Sequence, residues 1–262
     1  MVNLLKLIKH LFIFTFLTCL TQIGGLIWLL SIGVSKHMSI RKRFVFPILY
    51  LLFNIAIIPP IAKSFGREKL PTFSKEIKPR NWCYPLLFRN YVAPNLKKQL
   101  QNDASVFYKS TSMPITYLDA NFPFIDGFPL FPHLSHNDGK KVDLSLMYLD
   151  EKKESTDKKP SVSGYGVYAN SEDNYTVKRC RNNGYRQYDF TKYLSFGTIH
   201  ELDFYQEGTK HLLQQLLSNS STQKIFIEPH LKQSLGLSNE ARIRFHGCQA
   251  VRHDDHIHLQ IK

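Results

Sequence analysis

The sequence predicts an α+β fold, in which an N-terminal two-helix membrane anchor precedes a small, mainly antiparallel sheet domain. Three observations carry this reading. Two long uncharged runs stand near the N-terminus, Leu11 to Val34 and Phe44 to Ala62. Further along, short segments alternate polar and apolar residues, as a strand does when its successive side chains face opposite sides of a sheet. Among them lies one segment of helical period, "EGTKHLLQQLLSNSS".

Each apolar run is long enough to cross a hydrocarbon core of about 30 Å as a helix. Lys6 and Lys9 resemble the basic start of a cleaved signal peptide, but the run exceeds a signal's apolar core and a second run follows it. Residues 1–65 therefore read as a two-span anchor. The loop "SKHMSIRKR" holds Lys36, Arg41, Lys42 and Arg43, which the positive-inside rule places in the cytoplasm, leaving both termini outside. The stretch after the second run is basic too (Lys63, Arg67, Lys69, Lys75, Lys78, Arg80), so charge alone does not orient the chain.

Residues 66–102 read as a Pro-spaced juxtamembrane connector ending in a short helix near Leu96 to Asn102. The folded domain is expected over 103–262. "ASVFYKS" and "PITYLDANF" are strand-like in their aromatic and β-branched content. In "VDLSLMYL", Val142, Leu144 and Leu146 alternate with Asp143, Ser145 and Met147, which is strand period. Residues from about 150 to 190 show no clear period and read as an insertion. Leu212, Leu213, Leu216 and Leu217 form the apolar stripe of the long helix, and "KIFIEPH", "ARIRFHG" and "DHIHLQI" complete the strands.

The net charge of +13 is dispersed, and no nucleic-acid motif accompanies it. It suits a solvated surface that tolerates anionic head groups and cell-wall polymers better than one that binds nucleic acid. Of four cysteines, Cys19 lies in the first run. Cys83, Cys180 and Cys248 show no CxxC spacing, and an oxidised pair among them leaves one thiol over.

The chemistry-bearing residues gather in two places. "VRHDDHIHLQ" packs three histidines into its middle, and on a strand His256, His258 and Gln260 face one way while Ile257, Leu259 and Ile261 face the core. Two imidazoles so placed lie about 6.6 Å apart along one face, so one can bind a metal while the other handles a water bound to it. "PHLSHNDGKKVDLSL" adds His133, His136 and Asp143. A His and an Asp separated by six residues, completed by a distant His, give an N,N,O donor set that zinc accepts with a fourth position open. A structural zinc site would close with four ligands, usually including cysteine, and no cysteine here has that spacing.

"HLSHNDGKKVDLSL", followed late in the chain by "RHDDHIHLQI", resembles the penicillin-insensitive murein endopeptidases, within the superfamily of lysostaphin-type and D-Ala-D-Ala metallopeptidases. The superfamily pattern is His, six residues, Asp, then a C-terminal His-x-His, matched at His136, Asp143 and His256-Ile257-His258. The murein endopeptidases add a His three residues before the first ligand, matched by His133, and an HDxHxH string, matched by His253, Asp254, His256 and His258. The segment "QKIFIEPHLKQSLGL" is similar to the one preceding the last motif in that family. The resemblance covers roughly Pro123 to Ile261, broken by the insertion. "FIDGFPLFP" replaces the family's Arg/Gly-rich lead-in, "GKK" stands where an apolar or acidic pair is usual, and the membrane anchor is foreign to the family.

What the resemblance implies is a zinc ion on His136, Asp143 and His258, with His256 as the catalytic imidazole, His253 as a second catalytic group and His133 as an accessory. It further implies a zinc-dependent peptidase acting on peptidoglycan cross-links, muropeptides or related D-amino-acid peptides. Such a substrate places the domain on the periplasmic side of the cytoplasmic membrane and the "SIRKR" loop inside. Asp138 and Asp255 read as ordinary turn or surface carboxylates, and His230 and His246 as core or loop histidines. Two rival classes are a non-catalytic module that grips the cell wall or a partner on the same fold, and an HD-type phosphohydrolase suggested by His253-Asp254. The intact ligand set with His256 argues against the first. The strand period beside the pair argues against the second, whose sites need helices.

Overall fold

Gln22 divides the first apolar run in two. The computed structural model describes residues 2–169 and 174–262, and in it Gln22 takes a left-handed backbone conformation (φ 69°) at which the chain doubles back. Helix α1 (Val2–Thr21) is followed by an antiparallel α2 (Gly24–His37) rather than continued by it. Gly25 permits this close return, since a Cβ there would fall 2.1 Å from Thr18 Oγ1 and 2.5 Å from the Phe14 carbonyl oxygen. Further along the pair, the His10 and Trp28 rings meet at 5.8 Å.

Helix α3 (Lys42–Leu52) runs back along α2, with Phe46 edge-on to Trp28. It passes through a π-turn (Phe53–Ile57) into α4 (Ile58–Ser64). Pro59 and Pro60 account for the widened turn, because neither has an N–H to give the carbonyl four residues back. Among the described residues two helices are long and apolar enough to cross a membrane, Leu4–Thr21 and Lys42–Ser64. The first stops at Thr21, well short of the expected Val34. The hairpin also brings the N-terminal end of α1 beside the loop at residues 38–41, so the expectation that both termini share a side does not follow from this packing.

Residues 66–102 fold with the domain rather than merely leading to it. Strand β1 (Glu68–Lys69) pairs with β3 (Tyr91–Val92), and β2 (Ile77–Pro79) forms one edge of the main sheet. Between them, the single turn α5 (Cys83–Leu86) accepts Asn54 Nδ2 on the Pro85 carbonyl (2.9 Å) and the Tyr50 hydroxyl on the Leu86 carbonyl (2.7 Å), which ties the domain to the apolar helices. Helix α6 (Pro94–Thr111) is far longer than the short helix expected near Leu96, and it absorbs "ASVFYKS". That segment is not a strand because buried Leu96, Leu100, Ala104 and Phe107 recur at helical spacing.

The remaining elements are β4 (Ile115–Tyr117), β5 (Lys141–Ser145), β6 (Tyr148–Leu149), β7 (Ser155–Thr156), α7 (Tyr175–Asn182), β8 (Asp203–Phe204), α8 (Gln206–Ser218), β9 (Thr222–Phe226), α9 (Pro229–Ser234), β10 (Ile243–Arg244) and β11 (His256–Ile261). The six-stranded sheet runs β10-β9-β11-β5-β4-β2. Its centre, β9-β11-β5-β4, is antiparallel as expected, and the outer pairs β10-β9 and β2-β4 are parallel. Strands β6, β7 and β8 form a separate small sheet.

One face of the main sheet carries Val142, Leu144, Ile257, Leu259 and Ile261, packed with Leu212, Leu213 and Leu216 of α8 and Leu100 and Phe107 of α6. The polar residues that alternate with them on β5 and β11 are thereby forced onto the other face. The insertion expected at about 150–190 holds β7, α7 and a 3-10 turn at Phe190–Leu194, and residues 170–173 within it lie outside the described residues. A disulfide between Cys180 and Cys248 fastens α7 to the loop that leads into β11.

Candidate metal centre

Register brings the two histidine motifs together. His258 on β11 lies directly opposite Asp143 on β5, and strand alternation turns both side chains away from the helices. The loop before β5 returns His136 to the same point, where its Nδ1 donates to the Ala120 carbonyl (2.8 Å). That bond leaves the Nε2 lone pair of His136 directed inward. Nε2 stands 3.1 Å from His258 Nδ1 and 3.2 Å from Asp143 Oδ1, and His258 Nδ1 is 2.9 Å from the same carboxylate oxygen. All three residues are buried.

This triangle of donors suits a small divalent cation. With zinc bonds of about 2.0–2.1 Å, a tetrahedral site needs ligand atoms about 3.3 Å apart, close to the observed edges. The protonation states suit it as well. Burial pushes His258 down to about 3, so its imidazole is neutral at ordinary pH. Burial alone would raise Asp143, but the surrounding charges of His136, then His256 and His133, hold it well below the usual carboxylate range. His133, Asp143 and His256 form a second grouping on the other carboxylate oxygen, but His133 and His256 each lie farther from it, at 3.6 and 3.7 Å. The first grouping, identical to the expected ligand set, is the better cage. The site fits a divalent metal, and the donors alone do not fix which.

His256 is the neighbour that does not join the triangle. Its Nδ1 is hydrogen-bonded to Asp255 Oδ1, while its buried Nε2 has no hydrogen-bond partner among the described residues. Burial disfavours its charge, yet Asp143 and then Asp255 outweigh this and raise it to about 9. Asp255 is thus no surface carboxylate, contrary to expectation. It is fully buried, and its second oxygen accepts the Gly166 N–H at 2.6 Å. Gly166 (φ 82°) is required there, because a Cβ would fall 2.6 Å from the Thr191 carbonyl oxygen.

His253 is not held by the Asp that follows it in the sequence. Asp254 is taken up by Arg252 and by His230 (3.3 Å), and what holds His253 is its backbone N–H on Glu228 Oε1 (3.1 Å). Its ring packs 4.8 Å from that of His256, and burial followed by the charges of His256 and His258 drives it well below the ordinary histidine range. His133 Nδ1 binds Asp119 Oδ2 at 2.8 Å, and Asp119 in turn pairs with Arg89 (2.7 Å). The chain matches no family model and no curated protein.

Several residues of the centre escaped the sequence reading. Tyr165, from the insertion, donates its hydroxyl to Asp143 Oδ2 at 2.8 Å and accepts the Asp119 N–H on the same oxygen. Nothing in "SGYGVY" signals this, since the contact depends on how a long loop folds back. His246, read as a core or loop histidine, stacks on Phe226 at 4.2 Å and lines a cleft of about 500 Å³ with His133, Leu134, Gln187, His253 and His258. His230 and Asp138 keep the structural roles expected, the latter in a turn with Lys140 and Lys141. A second cavity of about 390 Å³, mostly apolar, reaches from His133, Asp119 and Tyr165 to Leu20 of α1.

Proposed function

We propose that this chain is a membrane-anchored, zinc-dependent peptidase that cleaves peptide cross-links of peptidoglycan or related D-amino-acid peptides. The observation that carries the reading is the buried His136–Asp143–His258 triangle with His256 beside it, whose His258 lines a cleft of about 500 Å³. The motif resemblance to murein endopeptidases supplies the substrate class. A zinc ion held there would supply Lewis-acid polarisation of the scissile carbonyl and a water acidified towards a pKa of ~7.

The chain's own residues do the rest. Asp255 fixes the His256 tautomer with Nδ1 as donor, so the neutral ring presents its Nε2 lone pair to the site. Asp143 is the chief source of the charge on His256. With Asp143 engaged in holding a divalent cation, its pull on His256 would be relieved, and His256 Nε2 would be the group placed to take a proton and return it to the leaving amine. Tyr165 and the Ala120 carbonyl hold Asp143 and His136 in their orientations, as groups behind metal ligands do. His253 and His246 line the cleft where a peptide would lie.

The domain then belongs outside the cytoplasmic membrane. The Cys180–Cys248 disulfide is in keeping with an oxidising compartment, and Lys6, Lys9, Lys36, Arg41, Lys42 and Arg43 cluster at the end of the apolar helices remote from the domain, as cytoplasmic charges do. The HD-type alternative finds no support, since Asp254 is committed to Arg252 and the pair precedes a strand. The deciding experiment incubates purified full chain with cross-linked muropeptides and reads products by mass spectrometry. Cleavage of a cross-link that chelator abolishes and zinc restores is expected. Zinc-loaded, folded protein that leaves every muropeptide intact would leave only the binding-module reading.

A further inference from the structure

Lys159 is 1% exposed, and its Nζ has no hydrogen-bond partner among the described residues. Its Nζ lies 5.6 Å from the centroid of the Tyr148 ring. A buried ammonium is costly unless paired and hydrogen-bonded, so an orphan of this kind asks what it pairs with. Lys159 lines a cavity of about 380 Å³ bordered also by Lys78, Arg80, Asn81, Trp82, Thr116 and Asp157. None of the metal-centre residues borders it. The cavity lies where β2 and β4 meet the loop after β7.

The charges there do not balance. Asp157 is the only carboxylate among the lining residues, and it pairs with Lys78. Arg80 spends Nε and Nη2 on the Ser161 carbonyl (3.1 and 2.6 Å), which fixes the loop but neutralises nothing. Three cations therefore face one carboxylate. Of the other donors, the Asn81 amide gives one N–H to the Val162 carbonyl (2.9 Å), the Thr116 hydroxyl donates to Asp157 Oδ1 (3.5 Å) and the Lys78 ammonium pairs with Asp157. Among the described residues this leaves Lys159 Nζ and the second Asn81 N–H, on separate loops, to meet different oxygens of one anion, with Lys78 at its edge. We propose that this cavity is a binding site for a phosphate-type oxyanion, with Lys159 Nζ as its central donor and Lys78 and Asn81 at its rim. The same chemistry is offered by a free phosphate and by the head group of an anionic phospholipid. Burial pushes the unliganded Lys159 down to about 8, and a bound anion would reverse this.

The test uses the full chain in detergent. Trp82 lines the cavity and the other tryptophan, Trp28, sits in α2, so a Trp28→Phe background makes emission a report from Trp82 alone. Inorganic phosphate should give a saturable change that potassium chloride at equal ionic strength does not reproduce. Lys159→Met should weaken it at least tenfold, whereas Lys152→Met, at an exposed loop position, should leave it unchanged. Phosphate should raise the melting temperature of the parent and not of Lys159→Met. In phosphate-free buffer Lys159→Met should melt at or above the parent, because methionine removes an unpaired buried charge; that result excludes misfolding as the reason for lost binding. Competition by monomeric short-chain phosphatidic acid would identify a lipid head group as the source, and its failure to compete would identify a soluble phosphate. No saturable response, or an equal one in Lys159→Met, overturns the site.

Discussion

His256 and His258 share a strand face two residues apart and yet have opposite electrostatics, and the difference lies in what each nitrogen meets. His258 Nδ1 points into the donor triangle and is kept neutral by burial, while His256 has both Asp143 and Asp255 in reach. His258→Ala should therefore lose metal and turnover together. His256→Ala should keep near-stoichiometric zinc and lose about 10²–10⁴-fold in turnover, the range for removing a general base. Zinc content, melting temperature and turnover measured on the same two preparations check this, and near-normal turnover in zinc-loaded His256→Ala would shift the role to His253. The metal-stripped protein gives a second check. His256 is raised from 6.5 to about 9, so its contribution to stability is complete below pH 6.5 and lost as pH climbs through 9. His258 is depressed from 6.5 to about 3, so its contribution is complete above pH 6.5 and lost as pH falls towards 3. Denaturant melts across pH should show His256→Ala flattening the alkaline limb relative to the parent and His258→Ala flattening the acid limb. Unchanged limbs would mean that these charges are not set as described.

At the scale of elements, the legible parts were those whose pattern is local. The α8 stripe, the alternation on β5 and β11, and therefore the facing of Asp143, His256 and His258, follow from period alone. The reading of "ASVFYKS" as a strand failed because a short β-branched and aromatic window outweighed the longer stripe from Leu96 to Phe107, which only a wider window shows. The turn at Gln22 was hidden by hydropathy, which registers apolar length and is blind to a left-handed residue; the Gly24-Gly25 pair after it was the available signal. The supporting shell of the centre was largely illegible. Tyr165, Asp119 and Gly166 reach it through loops whose course depends on tertiary packing, and Asp255 looked like a surface carboxylate because its burial comes from those same loops. The Cys180–Cys248 pair, left open by spacing, is fixed only once α7 folds against the loop before β11.

The whole molecule joins an apolar helical module to a sheet domain through buried contacts rather than a free linker. Gln22, at the α1–α2 turn, accepts the Phe124 N–H (2.9 Å), and Ile23, Ile27, Ile58 and Ala62 pack with Phe88, Tyr91, Phe122 and Leu130 of the domain. The turn and the end of α4 therefore lie at the domain side, and the start of α1 and the loop at 38–41 lie at the opposite end, where Lys6, Lys9, Lys36, Arg41, Lys42 and Arg43 are found. Helix α2, at 14 residues, rises about 21 Å, so it returns most of the way towards the N-terminal end without matching a full hydrocarbon thickness by itself. If basic residues stay in the cytoplasm, the N-terminus is inside and the domain outside, whereas two simple spans with the same loop inside would put both termini outside. An epitope at the N-terminus should accordingly resist protease added to spheroplasts, while a reporter fused after Lys262 should be active only as an exported protein. An N-terminal epitope cut as readily as the C-terminal fusion would restore the simple two-span arrangement and leave the outside domain standing. A reporter silent after Lys262, with a cytoplasmic reporter bright at the same position, would place the metal centre away from any cell-wall peptide and remove the proposed substrate.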